Sequence, residues 1–273
     1  MATLKIKFLA TTIQMQMHLA VFLPEAAGRG GPPLAPGPLK VLWLLHGEGG
    51  DCSDWLRLSM VEHHAQEAGI ALVMPSLDNS MAMDMAHGGY PYFGYLANDL
   101  PRHVRHLVGS LSPAREDNFV AGVGAGGHGA IKWMLRAPRM FAGGACLSGD
   151  IDMAAALRAR EAEGPLADDW SAAFGGSARL AGSTDDVMHL CRERASAGAA
   201  VPPIVIATNE RDDSFQRNRQ AAGELAALGL DVRIGETPGS TGWAFWDAQL
   251  REFIRAVVAP ARTAGGRDVA DRI

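Results

Sequence analysis

The hydrophobic positions of this chain follow two different patterns. In residues 1–24 apolar side chains occupy every second position, as at Leu4, Ile6 and Phe8, which is the period of half-buried strands and predicts an antiparallel hairpin. From residue 40 onward the apolar residues form short uninterrupted runs, which are typical of strands buried on both faces. These runs predict six further strands, at 41–45, 70–74, 118–123, 143–148, 203–208 and 231–236.

Helical patterns fill the gaps between these strands. We predict helices from Ser53 toward Gly69, from Pro101 to Gly109, from Ala125 to Arg136, from Ser214 to Leu228 and from Trp243 to Val258. Repeated alternation of strand and helix predicts an α/β fold with a mostly parallel central sheet covered by helices on both faces. Ligands bind such sheets at the carboxyl ends of the strands.

The length and spacing of these elements predict one domain over residues 1–260. Glycines and prolines mark residues 26–39 as an exposed loop within it. Residues 150–201 interrupt the alternation and predict a small cap-like insertion of short helices over the ligand-binding edge. The polar residues 261–273 predict a flexible tail.

Composition narrows the classes of function. The chain has 273 residues and a formal net charge of −5, and it has no run of lysines and arginines, so we expect neither nucleic acid nor a membrane as its partner. Its three cysteines show no CxxC spacing, which argues against a disulfide framework and against a zinc site. We find no signal-peptide pattern and no apolar stretch long enough to span a bilayer, and therefore expect a cytoplasmic protein.

Residues 118–138, NFVAGVGAGGHGAIKWMLRAP, carry the most specific chemical signal. A buried strand enters a glycine-rich turn and then a helix, the setting of a nucleophile elbow, and Gly124 stands at the apex where a serine is expected. The same glycines match Gly-x-Gly-x-x-Gly. A dinucleotide site, however, requires this turn after the first strand of its unit and an acidic residue about 20 positions later. We therefore predict no cofactor. We also predict no metal, because neither His63 with His64 nor His103 with His106 has a third ligand at a recognisable spacing.

Several blocks, in this order and spacing, resemble the tributyrin esterase and S-formylglutathione hydrolase (esterase D) family of α/β-hydrolases. They are LLHGEGGDCSDWLR (44–57), DNSMAMDMAHGG (78–89), REDNFVAG (115–122), the elbow, CLSGDID (146–152) and PGSTGWAFWDAQL (238–250). The resemblance covers nearly the whole chain. It implies an α/β-hydrolase fold and a small-molecule acyl, ester or carbonyl ligand, and it is compatible with a homo-oligomer because related esterases are often oligomeric.

The resemblance also locates a catalytic triad, of which this chain keeps one member. Asp212 matches the family's acid, with Asp213 as the alternative if the loop register shifts by one. Gly124 replaces the serine and Thr241 replaces the histidine. Acyl transfer by such a triad requires an attacking oxygen and a base that titrates near neutrality. Since the last histidine of the chain is His189, we predict that Ser-His-Asp hydrolysis has been lost.

The backbone part of the site is expected to survive. The resemblance places oxyanion-hole N–H groups at Ala125 and Glu48, although the Glu48 carboxylate would repel a developing oxyanion. His46 is expected to hold this loop, and Cys52 and His128 are the candidates for a substitute nucleophile or base. The remaining expected pocket residues are Trp55, Asp84, Met85, His87 and Trp243.

Two uses of such a pocket follow. One is non-covalent chemistry on a carbonyl compound, meaning a cyclisation, elimination or isomerisation, and the other is ligand binding. The alternatives are an active carboxylesterase or thioesterase with a substitute nucleophile, and a non-catalytic binding or structural protein.

Overall fold

The computed structural model describes residues 1–25, 37–236 and 242–259. These residues form one eight-stranded sheet in the order β1-β2-β4-β3-β5-β6-β7-β8. Its strands are β1 (Ala2–Ala10), β2 (Met15–Leu23), β3 (Val41–Leu45), β4 (Ala71–Pro75), β5 (Asn118–Val123), β6 (Gly143–Leu147), β7 (Ile204–Thr208) and β8 (Val232–Glu236).

The pairing of the strands confirms the predicted architecture. β1 and β2 form the antiparallel hairpin, and β2 joins the rest of the sheet by antiparallel pairing with β4. The pairs from β4 through β3, β5, β6 and β7 to β8 are parallel. The fold is therefore that of an α/β-hydrolase.

Helices cover both faces of the sheet. They are α1 (Asp54–Leu58), α2 (Val61–Ala68), α3 (Tyr92–Gly94), α4 (Leu100–Leu107), α5 (Ala125–Arg136), α6 (Met153–Glu163), α7 (Asp168–Phe174), α8 (Ser177–Leu180), α9 (Val187–Ser196), α10 (Phe215–Ala227) and α11 (Trp243–Phe253). A π-helical segment, Tyr95–Asp99, joins α3 to α4, and another, Ile254–Val258, continues α11.

Two expectations about helices need correction. The helix predicted from Ser53 toward Gly69 is two helices, because Ser59 is extended and ends α1. The side chain of Ser53 does not cap α1, since its hydroxyl donates to the Asp51 carboxylate instead. The helical segment before Pro101, which begins at Tyr92, was not predicted.

Strand β3 illustrates why the sheet has two apolar faces. Its five residues are all buried, and successive side chains point to opposite sides. Val41, Trp43 and Leu45 belong to the apolar cluster on one face, whereas Leu42 and Leu44 belong to the cluster on the other. An uninterrupted apolar run is therefore required for a strand covered by helices on both sides.

Helices α6 to α9 follow β6 and precede β7, within the segment for which a cap-like insertion was predicted. The predicted loop at 26–39 lies mostly outside the described residues, and the predicted tail at 261–273 lies entirely outside them. Within the described ranges, every helix is too short or too polar to cross a lipid bilayer.

Candidate active site

The carboxyl ends of the neighbouring strands β3, β5, β6 and β7 enclose a cavity of about 400 Å³. Helices α6 and α7 also contribute side chains to its wall. Among the described residues, those that line it are Gly47, Glu48, Asp54, Val123, Gly124, Ala125, Ser148, Gly149, Asp150, Met153, Arg160, Trp170, Asp212, Asp213, Ser214, Trp243 and Trp246. The cavity therefore lies at the edge where the topology of an α/β sheet predicts ligand binding.

The turn between β5 and α5 has the geometry of an elbow. Gly124 adopts φ +53° and ψ −126°, a conformation that only glycine takes without strain. Its N–H donates to the carbonyl of Leu147 on β6 at 2.9 Å. The helix also passes very close to the β3 end, because a Cβ on Gly126 would overlap the carbonyl oxygen of His46. The backbone thus presents the apex to the cavity without any side chain on it.

Two backbone N–H groups beside the apex are available to a ligand. Within the described part of the chain, neither Ala125 nor Glu48 donates its N–H to a protein acceptor. Ala125 begins α5, where the helix dipole favours negative charge. This is the arrangement expected of an oxyanion hole.

The Glu48 side chain modifies this electrostatic setting. It lies at the exposed rim of the cavity, where nearby protein atoms remove part of its hydration and thereby raise the pKa of its carboxyl. The Arg160 guanidinium acts in the opposite direction and lowers it. A protonated or Arg160-compensated Glu48 would repel an oxyanion less than a free carboxylate does.

Asp212 is held by a chain of hydrogen bonds. Its Oδ2 accepts from the Ser148 hydroxyl at 2.7 Å and from the Asn209 N–H at 2.8 Å. The indole N–H of Trp246 donates to Ser148 Oγ at 2.9 Å, which directs the hydroxyl proton toward Asp212. No hydrogen bond to Oδ1 is found among the described residues, so this oxygen can accept from a ligand. Asp213 also lines the cavity but has no comparable network, which favours Asp212 as the acid of the site.

The structure thus gathers Glu48, Gly124, Ala125, Asp212 and Trp243 around one cavity. Thr241 lies outside the described residues. The other predicted pocket residues are located elsewhere, each for an identifiable reason.

His46 lies behind the oxyanion loop. It is 4% exposed, its Nδ1 is 2.7 Å from the carbonyl oxygen of Gly47, and its Nε2 accepts from the Leu77 N–H at 2.8 Å. Burial lowers the pKa of the His46 imidazole. The hydrogen bond to Gly47 raises this pKa, but its effect is smaller than that of burial. The neutral His46 ring is hydrogen-bonded at both nitrogens and thereby connects the loop after β3 to the loop after β4. This agrees with the expected role of holding the oxyanion loop. His46 does not line the cavity.

Cys52 and Trp55, which were expected in the pocket, are not among the residues that line this cavity. The half-buried Cys52 packs with the apolar cluster on one face of the sheet, and burial raises the pKa of its thiol. A thiol kept protonated and away from the cavity is unsuited to nucleophilic attack. Trp55 is fully buried and supports Trp243 from behind, with ring centroids 5.1 Å apart.

Asp84, Met85 and His87 also lie away from the cavity, contrary to expectation. Asp84 Oδ1 accepts from the Gly94 N–H at 2.9 Å, and the backbone of Met85 donates to Tyr90. His87 is exposed, and its N–H donates to Ala172 on α7. This segment therefore joins the loop after β4 to the inserted helices and does not line the pocket mouth.

His128, a candidate for a substitute base, does not line the cavity. The ring is completely buried in the interior, where its Nδ1 is 3.1 Å from the carbonyl oxygen of Asp150. Burial, reinforced by nearby Lys132, lowers the pKa of His128 to about 4. Among the described residues no histidine lines the cavity.

Other cavity residues were missed by the sequence interpretation. Ser148 follows β6 with φ +54°, an unusual value for serine, and is part of the CLSGDID block. Its position at the carboxyl end of a predicted strand could have identified Ser148 as a candidate site residue. Arg160 and Trp170 come from the inserted helices, whose path over the sheet cannot be read from periodicity. No group of three or more potential metal ligands occurs in the part of the chain that the structure describes.

Comparisons with known proteins identify the family of the chain. A family model described as Esterase, "Putative esterase", matches residues 10–256. An acetyl esterase of Caldicellulosiruptor saccharolyticus is 28% identical over 222 residues, which cover 78% of this chain and 80% of that protein.

Solved structures are similar over almost the whole chain. The fluorophosphonate-binding serine hydrolase FphF of Staphylococcus aureus has a TM-score of 0.81 and 27% identity, covering 94% of this chain and 98% of that one. The S-formylglutathione hydrolase FrmB of the same organism has a TM-score of 0.80 and 28% identity, with the same coverage. The chain therefore belongs to the esterase family of α/β-hydrolases.

Proposed function

We propose that this esterase-family protein has lost Ser-His-Asp hydrolysis and uses its acyl pocket for proton-transfer chemistry on a carbonyl compound, without a covalent serine intermediate. The main support is the combination of a glycine at the elbow apex with two available N–H groups and an accessible carboxylate. The sequence adds that Thr241, at the family's histidine position, has no group able to accept a proton near neutral pH.

The arrangement supports a simple mechanism. A carbonyl oxygen bound by the N–H groups of Ala125 and Glu48 would be polarised, which acidifies the neighbouring C–H. Asp212 Oδ1 would take that proton, leaving an enolate whose charge the N–H groups stabilise. Return of the proton to a different carbon completes an isomerisation, whereas expulsion of a β-substituent completes an elimination.

Restoring the missing triad tests the loss of hydrolysis. A Cβ on Gly124 would meet no atom within 4 Å, so the cavity has room for a serine side chain. The Gly124→Ser, Thr241→His double variant should hydrolyse p-nitrophenyl acetate at least about 100-fold faster than the unmodified protein. The matched control is Gly124→Ala with Thr241→His, which imposes the same backbone strain but has no attacking oxygen. Equal rates for the double variant and its control would show that the pocket has diverged further than proposed.

Hydrogen exchange tests the proton transfer directly. The unmodified protein should catalyse exchange of protons next to the carbonyl in a panel of ketones and esters in D₂O, followed by NMR. Exchange should fall about 100-fold or more in Asp212→Asn. If Asp212→Asn retains the full rate, the proton-abstracting role assigned to Asp212 is wrong. Saturable binding of a ligand that is recovered unchanged would instead indicate a binding protein.

A second candidate function is ester hydrolysis with Ser148 as the nucleophile. The observation that favours it is the 2.7 Å contact between Ser148 Oγ and Asp212, inside the cavity. It predicts turnover of p-nitrophenyl acetate by the unmodified protein, an acetylated Ser148 in mass spectra, and loss of both in Ser148→Ala. A rate equal to that in buffer would remove this candidate.

A further inference from the structure

The cavity contains more negative than positive charge. Its described lining residues include five carboxylates but only one guanidinium, that of Arg160. Among the described residues, neither Asp212 nor Asp213 lies within ion-pair distance of a basic side chain. Arg217 interacts electrostatically with Asp213, but its guanidinium is bonded to Asp150. In a complete triad the imidazole would balance the acid, and Thr241 cannot carry a positive charge.

Other carboxylates of the wall do have cationic partners. Arg217 Nε lies 2.6 Å from Asp150 Oδ1, and Arg57 Nη2 lies 2.9 Å from Asp54 Oδ1. The imbalance is therefore concentrated at Asp212 and Asp213, next to the elbow. A ligand that brings a positive charge would supply the counter-charge that is missing there.

The aromatic residues of the cavity suit the same kind of ligand. Trp243 and Trp246 pack edge to face, with ring centroids 5.2 Å apart, and both line the cavity. Tryptophan faces attract cations through the quadrupole of the ring. The wall already contains one such contact, because the Arg160 guanidinium lies 4.3 Å from the ring centroid of Trp170.

We infer that the ligand of this cavity is a cationic carbonyl compound, namely an ester or ketone with an amine or quaternary ammonium group. Its carbonyl oxygen would bind the N–H groups of Ala125 and Glu48, and its ammonium group would lie between Asp213 and the Trp243–Trp246 pair. This inference rests on the proposed function, since it assigns the substrate class of the same pocket. A volume of about 400 Å³ accommodates a small molecule of this type.

The test compares two ligands of nearly equal shape. Acetylcholine carries a quaternary ammonium group, and 3,3-dimethylbutyl acetate replaces that group with a neutral tert-butyl group. In titration calorimetry at low ionic strength, acetylcholine should bind the unmodified protein at least about tenfold more tightly. Asp213→Asn should weaken acetylcholine binding about fivefold and leave the neutral ester unaffected.

Glu163→Gln is the matched control, because it removes the same charge from an exposed position of α6 that does not line the cavity. It should change neither affinity. Equal affinities for the two esters would overturn the charge preference but leave the proposed function standing. Failure of both esters to bind at millimolar concentration would overturn the inference. In that case, the rate of p-nitrophenyl acetate hydrolysis by the Gly124→Ser, Thr241→His double variant would still test the proposed function independently.

Discussion

The buried cation Lys132 allows a sharp test of the electrostatics of this fold. Its side chain is fully buried on α5, where Nζ donates to the carbonyl of Ala82 at 2.7 Å and lies 3.4 Å from Asp185 Oδ1. The Phe93 ring centroid is 4.8 Å from the same nitrogen. Burial lowers the pKa of Lys132 to about 8, although Asp185 acts in the opposite direction.

The sign and size of the effect follow from proton linkage. Below pH 8 the lysine is protonated in both states, and the folded state bears the cost of burying its charge. Between pH 8 and 10.5 the unfolded chain keeps the proton that the folded protein has released, so the free energy of unfolding rises with pH. The difference between the ordinary pKa of 10.5 and about 8 corresponds to about 3 kcal/mol.

The assay is urea unfolding of the unmodified protein and of Lys132→Met at intervals from pH 7 to 11. Methionine fills similar volume among the same apolar neighbours and does not titrate. The unfolding free energy of the unmodified protein, minus that of the variant, should increase by about 3 kcal/mol across this range. Asp185→Asn should destabilise by about 3 kcal/mol at pH 7 and by less at pH 10, where Lys132 has released its proton. If the difference in unfolding free energy between the unmodified protein and Lys132→Met does not change with pH, the reasoning is refuted.

Two further predictions concern other buried positions of α5. Gly126→Ala should lower the free energy of unfolding by about 3 kcal/mol or more, because its Cβ would overlap the carbonyl oxygen of His46. The control Gly223→Ala, inside α10 with nothing within 4 Å of the new Cβ, should stabilise by about 1 kcal/mol in the same denaturation experiment. Burial lowers the pKa of His128 from 6.5 to about 4, so the unfolded chain binds a proton first on acidification and stability is lost between these two pH values. Relative to His128→Gln, the unmodified protein should lose about 3 kcal/mol between pH 7 and 4 in unfolding titrations, and parallel profiles would contradict this.

The central sheet could be predicted from the sequence because its strands are buried on both faces. Each strand then requires an uninterrupted apolar run, so that β3 and β5 occupy the ranges predicted for them. The elbow could be predicted for a similar reason, since a sharp turn with a helix close to the sheet demands glycine at fixed positions. In both cases local sequence and tertiary environment impose the same requirement.

The wall of the cavity could not be predicted in the same way. Residues within the blocks that resemble the esterase family were expected in the pocket, yet His87 is exposed and His128 is buried in the interior. Arg160 and Trp170 reach the cavity from the inserted helices, at a distance in sequence that no periodicity encodes. Which side chains meet depends on how those helices pack over the sheet, and that is decided by tertiary contacts.

Gly124 and Ser148, two neighbouring residues of the site, differ in the backbone strain that they carry. A non-glycine residue at positive φ costs of order 1–3 kcal/mol and persists only where the surrounding structure fixes that conformation. Gly124 removes that cost at the apex, where no nucleophile is proposed, while the backbone still presents the N–H of Ala125. Ser148 retains the cost at φ +54°, on the neighbouring strand end, where its hydroxyl is bonded to Asp212. Positive-φ strain is therefore absent at the apex and present at the residue whose hydroxyl is bonded to Asp212, and this arrangement supports the proposal that Asp212 moves a proton.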